Sequence, residues 1–142
     1  MRGHSHGAPL AGDTLLAMQG LGNTLMEAGQ YPAADKLFRE LLEIQQRIFG
    51  PDNPQTAITL YNLGCVTAHR GQRVQAISFL AEAVDGGLPG YGDLGIEKDP
   101  DFNALHGDPR FTSLVAHAKQ VAADKKKAAA PSSSSASSAR AN

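Results

Sequence analysis

The side chains that could carry chemistry are few. Cys65 and His69 stand four residues apart, which on a helix places them on one face. That is a usable spacing for a nucleophile and its base. No third group that would orient the imidazole can be named, so lining a binding surface is the preferred reading of both. His4 and His6 lie close together near the start. Two imidazoles hold a divalent ion weakly, whereas a structural site normally takes about four ligands. Asp99 and Asp108 each precede a proline, the pattern of a helix cap followed by the first helical residue, and Asp101 lies beside the first of them. Capping is therefore preferred to metal binding for this group. The run Gly86-Gly87-Leu88-Pro89-Gly90-Tyr91-Gly92 has no Lys-Ser/Thr ending and follows a helical pattern, so it reads as a connector and not a phosphate loop. No catalytic residue, cofactor or metal site is expected, and the chain is not expected to be an enzyme.

Composition sets the outer limits. The 142 residues suit one domain. With 13 basic and 14 acidic residues, the net charge of −1 gives none of the basic footprint of a nucleic-acid binder. No run approaches the ~20 apolar residues of a membrane span. Residues 1–12 lack the charged-then-apolar order of a secretory signal, so a cytoplasmic location is expected. The single cysteine, Cys65, has no internal partner for a disulfide. There is no Trp, so the core must come mainly from Leu, Ile, Val and Ala.

The elements follow from periodicity. Residues 1–12 read as a flexible arm and 13–124 as the helical domain. Residues 125–142, from Lys125-Lys126-Lys127 into a Ser/Ala-rich stretch, lack large apolar side chains and read as a disordered tail. Leu15, Met18, Leu21, Leu25 and Met26 recur at helical steps, as do Ala34, Leu37, Phe38, Leu41 and Ile48. Gly29 between them predicts a tight turn. Gly50-Pro51-Asp52-Asn53-Pro54 then ends one helix and caps the next, with Asn53 at the cap and Pro54 in the first position. A third helix carries Ile58, Tyr61, Leu63 and Val66. Gly71 punctuates, and a fourth carries Val74, Ala76, Ile77, Leu80 and Ala83.

Shifted by 42 residues, the chain matches itself. Leu21-Gly22 falls on Leu63-Gly64, Gly29-Gln30 on Gly71-Gln72, Ala34 on Ala76 and Glu40 on Glu82, while Leu37-Phe38 meets Phe79-Leu80. This pattern resembles the tetratricopeptide repeat: Leu-Gly in a first helix, Gly at the turn, then Ala and a large apolar residue in the second. The usual period is about 34 residues. The longer period and the loop at 49–54 resemble the kinesin-light-chain type. The resemblance implies an all-α, right-handed stack of antiparallel helical hairpins. Its repeats would span about 13–49 and 55–87, with a degenerate capping unit over 88–124. Such ends close the apolar face of the last full repeat.

In that family the first helices line a concave side that holds a peptide or helix of a partner protein. Carried over by position, the groove would comprise Gln19, Asn23, Met26 and Glu27 from the first unit, with Tyr61, Asn62, Cys65 and His69 from the second. Asn62 resembles a groove asparagine, whose carboxamide can pair with any peptide backbone. Clamping of a C-terminal carboxylate is not expected, because Gln19 stands where that subtype has a lysine. The expected partner is a protein or peptide, not nucleic acid or membrane. The alternative is a self-associating assembly module or a regulatory segment of a larger protein.

Overall fold

A computed structural model describes residues 11–87 and 95–141, with side chains described over 12–87 and 95–128. Among them there is no strand. The order is α1 (Ala11–Glu27), α2 (Tyr31–Phe49), α3 (Pro54–His69), α4 (Arg73–Asp85), a short α5 (Gly95–Lys98), a 3₁₀ segment η1 (Pro100–Leu105) and α6 (Pro109–Ala141).

The two hairpins, α1–α2 and α3–α4, turn by the same device. Gly29 and Gly71 take φ values of +76° and +77°, in the left-handed region where a Cβ is penalised. Each turn is locked by a six-to-one bond, Gln30 N–H to the Leu25 carbonyl at 2.8 Å and Gln72 N–H to the Thr67 carbonyl at 2.9 Å. These satisfy carbonyls that the helix ends would otherwise leave orphaned. The crossings also repeat. A Cβ on Gly22 would lie 2.5 Å from the Phe38 ring, and one on Gly64 would lie 2.7 Å from Leu80. The 42-residue register of the sequence is thus a register of contacts. Between the hairpins, Asn53 accepts from Gln55 N–H at 2.8 Å with Pro54 in the first turn, as the sequence predicts.

The core falls into two connected parts. Leu15, Ala34, Phe38 and Leu41 of the first hairpin enclose Leu63 and Val66 of α3. The other face of α3, with Leu60, Tyr61 and Cys65, packs with α4 and the closing unit. Met26, Leu42 and Phe79 touch both parts and join them. An ionic clasp crosses the same boundary. Asp35 of α2 is buried, pairs with Arg39 one turn on, and accepts from Arg70 at 3.1 Å. Arg39 also donates to Gln75 of α4 at 2.9 Å.

The closing unit is as degenerate as expected. Asp99 and Asp108 cap η1 and α6, accepting from Asp101 N–H and Arg110 N–H at 2.9 Å each. η1 lies against α3 and α6 against α4, so they occupy the places of a third hairpin. Phe102, Leu105, Phe111 and Leu114 are buried there. The opposite side of α6 exposes Thr112, Ser113, His117 and Gln120. Residues 1–10 and 88–94, which hold most of the expected arm and the glycine-rich connector, lie outside the described residues. Where the sequence reads as a disordered tail from residue 125, the backbone of α6 continues as helix to Ala141. Ala and Lys favour helix locally, and residues 125–128 are exposed. No helix among the described residues is long and apolar enough to cross a membrane.

Candidate functional site

The eight residues expected to line a groove divide into two sets. α1 and α3 run side by side, and their facing sides bring Asn23 and Asn62 together. Asn62 Nδ2 donates to Asn23 Oδ1 at 3.3 Å, and both side chains are half-buried. Gln19, one turn before Asn23, is half-buried on the same face of α1. Met26 is half-buried between the two core clusters, and Glu27 is exposed at the end of α1. His69, at the end of α3, is exposed. These six residues are accessible in whole or part.

Tyr61 and Cys65 are not. They are 6% and 2% exposed, because η1 lies over that face of α3. Tyr61 donates its hydroxyl to Asp99 and sets its ring edge-on to Phe102, 5.4 Å between centroids. Helical spacing groups Tyr61, Asn62, Cys65 and His69 on one face, whereas the structure turns Asn62 toward α1 and the other three toward Asp99 and Asp101. Spacing cannot reveal that a segment some forty residues later covers most of that face.

The covered region gathers charge. The Cys65 sulfur and one oxygen each of Asp99 and Asp101 lie within 4.8 Å of one another. Burial pushes the Cys65 thiol far above its ordinary range, and the Asp101 and Asp99 carboxylates raise it further. This environment disfavours the thiolate, the form that nucleophilic or ligand chemistry requires. Asp99 is engaged by Tyr61 and the Asp101 N–H, and Asp101 Oδ1 lies 2.7 Å from His69 Nε2. These side chains fasten η1 to α3.

Two groups at the edge of this face escape sequence reasoning. The Tyr31 ring stacks on His69, with centroids 4.6 Å apart and planes 3° from parallel. Asp101 anchors the same imidazole through its Nε2. His69 thus contacts both α2 and η1 while the residue remains exposed. Tyr31 is visible in the sequence as the opening of α2, and Asp101 as part of a cap. Their meeting at His69 spans 38 and 32 residues and leaves no local signal.

What remains open is a polar strip built from carboxamides. Asn62 and Asn23 each carry two N–H donors and a carbonyl, and their mutual bond uses one donor and one acceptor site. The rest can pair with an extended backbone, whatever its side chains. Residues 13–86, more than half of the chain, match a family model described as tetratricopeptide repeat. No curated protein and no solved structure gives a significant match.

Proposed function

Because the chain belongs to the tetratricopeptide-repeat family, we propose that it binds a peptide or helix of a partner protein along the paired faces of α1 and α3. Repeats of this family are in general protein–protein interaction modules and typically serve as non-enzymatic scaffolds. The observation that carries the reading is the Asn23–Asn62 pair, two carboxamides on adjacent helices with hydrogen-bonding capacity left over. Asn is a poor residue for a helix interior, so its placement here favours contact with a ligand over local stability. In this reading Gln19, Asn23 and Asn62 pair with the partner's backbone. Met26 supplies apolar contact, and Glu27 and His69 border one end. Tyr61 and Cys65, covered by η1, take no direct part.

The test is affinity capture with wild-type and Asn62→Ala baits, beside their thermal melts. The expected outcome is a partner recovered several-fold less well by the variant, at nearly unchanged helicity and melting. A partner recovered equally by both baits would remove Asn62 from the site.

A further inference from the structure

The charges of this chain are sorted by element. α1 carries Asp13 and Glu27, α3 carries no Asp, Glu, Lys or Arg, and η1 with its cap carries Asp99 and Asp101. None of the three holds a lysine or an arginine. Most basic residues lie on α2, α4 and α6. Several are matched by carboxylates there or nearby. Arg39 and Arg70 pair with Asp35, Arg110 with Asp108 and Lys119 with Glu97. Lys98 precedes Asp99 in the chain but belongs to α5. The helices that carry the carboxamide strip, and the segment that follows them in the stack, thus bear formal charge of one sign.

That charge gathers at one end of the strip. Glu27 and His69 are equivalents in the 42-residue register, each the last residue of its helix and each two residues before a left-handed glycine. Asp101 continues the row, with Oδ1 2.7 Å from His69 Nε2 and its side chain 39% exposed. Glu27 is exposed, and no cation among the described residues pairs with it. α1 and α3 both end here, so the negative ends of two helix dipoles add to the carboxylates. A carboxylate in the last turn also opposes the dipole of its own helix. Glu27, like Asn62, is therefore placed against local preference.

We propose that this end of the strip receives a lysine or arginine of the partner, so that the segment bound along α1 and α3 is basic where it passes Glu27 and Asp101. The inference rests on the peptide-binding reading and adds the partner's charge to it. Carboxamides hold a backbone and discriminate little between side chains. Carboxylates supply the discrimination, because an acidic segment would meet like charge from Glu27, Asp101 and both helix ends.

A random-sequence peptide library displayed on phage, selected against the full chain, tests it. The expected result is a set of binders enriched in Lys and Arg. Their synthetic forms should lose affinity with added salt in fluorescence polarisation. Glu27→Lys should weaken them several-fold and raise the melting temperature, since a lysine suits the end of a helix. Exchanging a peptide's basic residue for Glu should restore its binding to that variant. Asn62→Ala should weaken the same peptides. Basic binders that heed Glu27 but ignore Asn62 would keep the charge assignment and remove Asn62 from the site. Binders that need Asn62, show no basic enrichment and ignore Glu27→Lys would overturn the charge assignment and leave the groove. Binders indifferent to both variants, or a library that yields none, would overturn the groove and this inference with it.

Discussion

α1 and α3 are written in the same code and live in different surroundings. Both cross their partner helix at a glycine, both precede it with leucine, and both end in the same glycine turn. Yet α3 is buried on nearly every side and α1 on one. Local sequence makes the hairpin, while the neighbours decide what each position costs. Stability in such an array is a sum of unit and interface terms. The inner hairpin holds two interfaces and the outer one holds one.

The sharpest way to break that comparison is to truncate the paired leucines. Leu63→Ala should cost about 2–5 kcal/mol by denaturant unfolding, as for a buried leucine whose site cannot collapse. Leu21→Ala, at an exposed position, should stay within about 0.5 kcal/mol. Similar losses at both would mean that α1 is covered after all.

Next come the crossings. Gly64→Val should overpack Leu80 and destabilise by about 1–3 kcal/mol, since α3 is clamped by the first hairpin, α4 and η1. Gly22→Val meets Phe38 at least as closely, but α1 has an open side to retreat toward, so a smaller loss is expected. Thermal melts of the two variants side by side would show it, and equal losses would deny α1 that freedom.

The smallest effect concerns the far end and its dependence on acid. Side-chain hydrogen bonds from Arg110, aided by its backbone N–H, hold Asp108 at a pKa of about 2, below the ordinary 3.8. A lowered folded-state value means that the contribution is full above 3.8, fades as pH falls from there, and is gone below about 2. Asp108→Asn should therefore melt below wild type at neutral pH, and the gap should close across that window. A gap that persists at the acid end would show that Asp108 acts through something other than its charge.

Much of this fold is legible in the sequence because its determinants are local. Gly29, Gly71, Asn53-Pro54 and the two Asp-Pro pairs mark boundaries with residues that have few other uses, and self-comparison reveals the stack. The candidate site was half legible. Asn23, Asn62 and Gln19 fall on the facing sides of neighbouring helices because the repeat dictates it. Tyr61 and Cys65 share a helical face with His69, but their burial depends on η1, which the sequence marks only as a cap. The Tyr31–His69 stack and the Asp101 contact have no periodicity at all, since they exist only once the layers have met.

The clasp at Asp35 bears on how far this chain can be taken apart. The loop from Gly50 to Pro54 invites a cut between two repeats of matching design. Cut there, the first half would keep a carboxylate made for two guanidiniums and lose the one that Arg70 supplies, while the second half would carry Leu63 and Val66 bare. The seam in the primary structure is not a seam in the thermodynamics. Excision or grafting of this module has to treat both hairpins and their closing unit as a single piece.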